Sequence, residues 1–137
     1  SDPSRFGRLV VMGVGANLFR TDGTEHLAAA FEDGVQPDDV ALRVFVNLAA
    51  SAGNDPLALA ACLRRPSRPY TADEIARVTC PTLVILGDKD FAGPADPLVD
   101  ALPDAQLTTL RGIDHFQTPR EFACIDAALE FVEAVPT

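Results

Sequence analysis

The stretch Pro81-Thr-Leu-Val-Ile-Leu-Gly87 constrains this chain more than any other. Side chains alternate between the two faces of a sheet, so an unbroken run of β-branched and aliphatic residues cannot be a strand with one wet face. Both faces must be covered, as in a parallel sheet flanked by helices. Pro81 stands at the first position, where a missing ladder donor is tolerated. Two other segments fit the same sheet. Arg8-Leu-Val-Val-Met-Gly13 is a short apolar run ending in Gly13 and Gly15, and it too reads as a strand covered on both faces. Gln106-Leu-Thr-Thr-Leu110 has β-branched character and reads as a third strand.

Helical patterns lie between these runs. Leu27, Ala30 and Phe31 form one face of a short helix, with Thr24 or Asp22 as its cap. From Asp38 onward, Ala41, Val44, Phe45, Leu48, Ala49 and Ala52 recur at steps of three and four, and Gly53 supplies a stop. Asn54-Asp-Pro56 offers a cap followed by proline in the first helical turn, and Leu57 to Leu63 continues in helical composition. Arg64 to Pro69 is a basic, proline-broken connector. Thr71-Ala-Asp-Glu74 has the spacing of a capping box. Ala95 to Leu102 reads as a short helix, and Pro119 to Val135 as a terminal one burying Phe122, Ile125, Leu129 and Val132. Strands alternating with helices imply parallel pairing through right-handed crossovers. The expected class is α/β, with about three parallel strands.

A chain of 137 residues supports one core. Its 11 Lys and Arg against 20 Asp and Glu give 11 − 20 = −9, which repels phosphate backbones and anionic lipid. Neither nucleic acid nor a membrane surface is an expected partner, and no apolar run approaches the ~20 residues that cross a bilayer. Three cysteines, Cys62, Cys80 and Cys124, with no C-x-x-C spacing signal neither a disulfide framework nor a zinc site. No cofactor is called for. The absence of a basic and apolar leader favours a cytoplasmic setting.

In open parallel sheets, sites form beyond the carboxyl ends of the strands. Asp88, Lys89 and Asp90 lie just past one such end, and Asp114 and His115 just past the next. Adjacent parallel strands are ~4.8 Å apart, so short loops can bring a carboxylate to an imidazole. That contact fixes the tautomer that leaves Nε2 free to accept a proton and stabilises the imidazolium that follows. A hydroxyl or thiol nucleophile on a turn of the G-x-S-x-G kind would complete a charge relay, and these 137 residues contain no such sequence.

These residues resemble the C-terminal half of an α/β-hydrolase. The resemblance covers nearly the whole chain: Arg8 to Gly13 is similar to the sixth strand, residues 17 to 78 to a helical cap or lid, and residues 80 to 137 to the last two strands and helices. It implies a core of residues 1–16 and 79–137 around the cap. In that family the acid follows the seventh strand in a Gly-x-x-Asp pattern, matched by Gly87-Asp-Lys-Asp90, and the base follows the eighth in a Gly-x-x-His pattern, matched by Gly112-Ile-Asp-His115. The implied catalytic residues are Asp90 and His115, acting on an ester, lactone or similar acyl substrate. The family's early strands, nucleophile elbow and oxyanion-hole loop have no counterpart here. The isolated chain is therefore expected to be inactive. Strand 8–13 is then an exposed edge, able to pair with a second copy or with a complementary N-terminal fragment. A non-catalytic half-fold serving as a binding or self-assembly module is the alternative.

Other candidates weigh less. Asp88 competes with Asp90 and could instead satisfy loop N–H groups, while Asp114 fits a loop cap and His26 a surface position. Ala49-Ala-Ser51-Ala-Gly53 resembles a relaxed elbow, and Ser51, Asp90 and His115 run in the triad's order. Against it, the spacing from Ala41 to Ala52 is helical and the segment lies where a lid belongs. Cys80 precedes its strand, whose length of ~20 Å separates it from the loops carrying Asp90 and His115. Gly13-Val-Gly15 lacks the third glycine of a dinucleotide fingerprint and reads as a tight turn.

Overall fold

The computed structural model describes residues 5–21, 24–34, 38–51, 53–65 and 68–134. Asp22, Ala52, Val135 and the side chain of Ala41, which enter the helix assignments above, lie outside the described residues. Three strands form one parallel sheet in the order β1 (Leu9–Met12), β2 (Thr82–Gly87), β3 (Ala105–Leu110). Leu9 pairs with Thr82 at one end of the sheet, and Gly87 with Leu110 at the other.

The centre of the sheet explains its sequence. Every residue of β2 is buried. Val84 and Leu86 point into one cluster with Ala92, Ala95, Leu98 and Leu102, the last two from helix α5 (Asp96–Ala101) and its end. Leu83 and Ile85 point into the opposite cluster with Leu110, Cys124 and Phe131. Each aliphatic side chain so buried contributes about 1.5–3 kcal/mol. That is why the run tolerates no polar alternation.

The chain divides into two compact units: Ser1–Arg20 with Pro69–Thr137, and Thr21–Arg68. Within the first unit, Leu18, Phe19, Ile75 and Val78 pack against the cluster around Val84 and Leu86. In the second unit, helices α1 (Glu25–Asp33), α2 (Val40–Ala49) and α3 (Pro56–Leu63) bury Leu27, Ala28, Val46, Ala49 and Ala60. Leu48, expected inside, is exposed. Asp39 caps α2 through Leu42 N–H, and Asp55 caps α3 through the N–H groups of Leu57 and Ala58. Thr24 occupies the N-cap position of α1 but does not cap it: its ψ is helical, and its hydroxyl donates to the Leu63 carbonyl at 3.0 Å. Arg64 binds Glu25 and Glu32, and its guanidinium holds the Glu32 carboxyl below the usual range.

In the first unit the capping box forms at α4 (Ala72–Ile75). Thr71 Oγ1 accepts from Glu74 N–H at 3.2 Å, and Glu74 Oε2 accepts from Thr71 N–H at 3.0 Å. Thr71→Ala is expected to cost about 1 kcal/mol in chemical denaturation. A cost indistinguishable from zero would mean that Ile75 and Val78 hold the turn by packing alone.

Two expectations need correction. Helix α6 (Phe122–Phe131) buries Cys124 and Phe131, with Ala127 and Ala128 beside them, instead of Phe122, Ile125, Leu129 and Val132. Phe122 is 81 % exposed. The helix carries two apolar stripes at helical spacing, and the one facing Leu83 and Ile85 has the smaller side chains, which allow close approach. Arg8 fixes its far end, donating to the Phe131 carbonyl at 2.6 Å and pairing with Glu133. Strand β1, expected to be covered on both faces, is half-buried at Val10 and Val11 and exposed at Met12. Among the described residues it is an edge strand, paired on one side with β2. Burial pushes the Cys124 thiol pKa up, and its sulfur lies 3.7 Å from that of Met12. Among the described residues, no helix is long and apolar enough to cross a membrane.

Candidate active site

Beyond the carboxyl ends of β2 and β3 the chain makes two tight loops, and they hold each other. Asp88 N–H donates to the Leu110 carbonyl and Lys89 N–H to the Ile113 carbonyl, at 3.0 and 3.1 Å. Gly112 N–H donates to Asp88 Oδ1 at 2.7 Å. The Asp88 carboxylate thus serves as the link between loops. Asp114 caps its own turn: its Oδ1 accepts from Phe116 and Gln117 N–H, and its carbonyl accepts from Thr118.

With both loops fixed, Asp90 and His115 meet. His115 Nδ1 lies 3.1 Å from each carboxylate oxygen of Asp90. The Asp90 side chain is 0 % exposed and that of His115 31 %. Asp90 Oδ1 also accepts from Ala92 N–H at 2.8 Å, and Asp90 N–H donates to the Gly87 carbonyl, so the carboxylate is oriented from within its own turn. An ionised carboxylate only accepts, so a neutral imidazole in this contact is the tautomer with its proton on Nδ1 and its lone pair on Nε2. Among the described residues no hydrogen-bond partner reaches Nε2. A buried acid and a partly exposed imidazole oriented by it can together accept a proton at Nε2 from an incoming hydroxyl and return it.

Two aromatic rings frame the imidazole. The Phe91 ring centroid is 4.4 Å from that of His115 at a 35° tilt, and Phe116 meets it edge-on at 5.7 Å. Neither was visible by periodicity, since both lie in loops. The available signal was position: each aromatic directly follows a site residue, as Asp90-Phe91 and His115-Phe116.

No family model matches the chain, and no curated protein matches it significantly. Solved structures do. The chain superposes on Rv0554 from Mycobacterium tuberculosis with a TM-score of 0.65 at 20% identity, covering 98% of itself and 59% of that protein. An enol-lactonase from Burkholderia xenovorans LB400 matches with a TM-score of 0.61 at 20% identity, over 94% of this chain and 57% of that one. A bromoperoxidase from Bacillus anthracis gives 0.61 at 20% identity, over 94% and 59%. This is the C-terminal part of an α/β-hydrolase fold.

The chain spans about 60% of the length of the α/β-hydrolase structures it matches. Within that fold Ser51 is no elbow. The residues before it are helix α2, where an elbow requires a strand, and its hydroxyl donates to the Asn47 carbonyl at 3.1 Å. His26 is exposed on α1. Cys80 is buried at the opposite end of β2 from Asp90, and Cys124 is buried in α6.

Proposed function

We propose that Asp90 and His115 are the acid and base of a Ser-His-Asp triad that hydrolyses an ester, a lactone or a similar acyl substrate. The serine is contributed by polypeptide outside these 137 residues. One observation supports this above the rest: a fully buried carboxylate bonded to Nδ1 of a partly exposed histidine, at the tips of neighbouring parallel strands. The α/β-hydrolase fold, whose solved examples include an enol-lactonase, supports it independently. In the proposed reaction Nε2 of His115 takes the nucleophile's hydroxyl proton as its oxygen attacks the acyl carbon. The same proton then passes to the departing alkoxide. Water, deprotonated by the same nitrogen, then attacks the acyl carbon, and that proton passes to the serine oxygen as its bond to the acyl carbon breaks. Asp90 stays ionised throughout and stabilises the imidazolium. The helical unit Thr21–Arg68 is assigned the role of cap on its place between β1 and β2 in the chain.

The experiment is a p-nitrophenyl ester assay of the chain alone and mixed with a complementary N-terminal polypeptide carrying a serine elbow. Turnover is expected only in the mixture. Turnover by the chain alone, abolished by His115→Ala, would overturn the external-nucleophile reading and bring Ser51 back.

A second reading rests on a different observation. Among the described residues strand β1 has an unpaired edge, and the exposed stripe Phe122, Ile125, Leu129 and Val132 runs along a helix whose buried Cys124 touches Met12 of that strand. A free edge and an apolar stripe within one unit favour assembly, with a second copy or with the complementary fragment. Light scattering distinguishes the cases: a strictly monomeric chain, unchanged when the fragment is added, would remove the assembly reading.

A further inference from the structure

The proposed acid–base chemistry gives the motif Gly13-Val-Gly15 no role. The structure sets it against the site. β1 ends at Met12, and the chain then turns across the loop after β2: Ala16 N–H donates to the Pro94 carbonyl at 2.8 Å and Asn17 N–H to the Ala92 carbonyl at 3.1 Å. Arg20 adds a bond to the Phe91 carbonyl at 3.1 Å. This contact admits no side chain at Gly15, where a Cβ would stand 2.6 Å from the Pro94 carbonyl oxygen.

Gly13 is the more informative of the two. A Cβ built on it would lie 2.9 Å from Cε1 and 3.0 Å from Nδ1 of His115, and 3.5 Å from Oδ2 of Asp90. Its backbone therefore abuts the edge of the imidazole that faces the carboxylate. A Cβ under 3.0 Å from a ring atom forces something to shift, and the group in the way is a side chain, the imidazole itself. Gly13 is also at φ +64°, where a Cβ is strained in its own right.

We propose that Gly13 is a positioning residue for the Asp90–His115 pair: the space left by its absent side chain is the space the imidazole occupies when Nδ1 reaches the carboxylate. Phe91, Phe116 and Gly13 together fence the ring, and Nε2 is left as its open nitrogen. The catalytic consequence rests on the proposed function, but the geometric one does not.

The test reads the imidazole directly. In the 137-residue chain with 15N-labelled histidine, at mildly alkaline pH, His115 is expected as the Nδ1–H tautomer. In Gly13→Ala the Nε2–H tautomer should become the majority form, as it should in Asp90→Asn. Gly34→Ala is the control, since Gly34 shares φ +64° and a Cβ there meets nothing within 4 Å. It should lose stability from backbone strain while leaving the His115 tautomer unchanged. A Gly13→Ala chain that keeps the Nδ1–H form overturns the proposal. Should that variant fail to fold, the unsubstituted chain still decides, because the contact requires a nuclear Overhauser effect between a Gly13 Hα and His115 Hε1, and its absence overturns the proposal equally. These readouts need no turnover, so they can fail while ester hydrolysis by the complemented protein succeeds, or hold while it fails.

Discussion

Asp90→Asn is expected to lower kcat of the complemented protein for a p-nitrophenyl ester by on the order of 10⁴-fold, with KM little changed. The reason is geometric. Asn can turn its amide N–H toward Nδ1, which then accepts, and the imidazole proton moves to Nε2, the nitrogen that must take the proton from the attacking hydroxyl. The Ala92 N–H bond that orients the side chain can be retained by the Asn oxygen, so the fold should tolerate the change. His115→Ala removes the base itself and should cost at least as much. The measurement is steady-state kinetics beside a thermal melt of each variant. A fall in kcat of less than about tenfold, roughly 1.4 kcal/mol of barrier, would take Asp90 out of the proposed role.

Gly87→Ala is expected to be the most damaging single methyl in the sheet. A Cβ at Gly87 would stand 2.0 Å from the carbonyl oxygen of Ile113 and 2.7 Å from its carbonyl carbon. The obstacle is main chain, which cannot rotate aside as the end of a flexible side chain can. The loop after β3 would have to shift outward, stretching the bond from Lys89 N–H to the Ile113 carbonyl and the one from Gly112 N–H to Asp88. Overpacking typically costs about 1–3 kcal/mol, and this case belongs at or above the upper end. Because that loop carries His115, the contact with Asp90 should be lost with it. Urea unfolding gives the first quantity and the histidine 15N spectrum the second. A loss under about 1 kcal/mol with the Nδ1–H tautomer intact would show that the loop yields freely.

What the sequence discloses follows from which constraints are local. Strand β2 was readable because both of its faces are buried, so each residue from Thr82 to Leu86 answers to the same demand. The caps at Asp55 and Thr71 were readable because their partners lie within three residues. Helix α6 was readable as a helix but not in its orientation: Phe122, Ile125, Leu129, Val132 and Cys124, Ala128, Phe131 both satisfy helical spacing, and the neighbour that chooses between them is β2, far away in sequence. For the two carboxylates after β2, the resemblance pointed to Asp90, but no local spacing separates their roles. Asp88 is claimed by Gly112 N–H and Asp90 by His115, partners supplied by the following strand's loop. The closeness of Gly13 to His115 links residues about as far apart as this chain allows for two loops of one sheet, and no spacing rule reaches it.

Asp90 and His115 are 25 positions apart, joined by one helix, α5, and the strand β3. Closing a loop of that size carries a modest entropic penalty, since doubling its length would add only about 0.6 kcal/mol. The dyad is therefore a short-range feature in folding terms, built from one β-α-β turn of contiguous chain. It does not have to await the helical insertion, and grafting Thr82 to Thr118 as a block should carry the paired acid and base with it, provided the host supplies a neighbour in place of β1, a cover for Leu83 and Ile85 in place of α6, and the fence at Gly13.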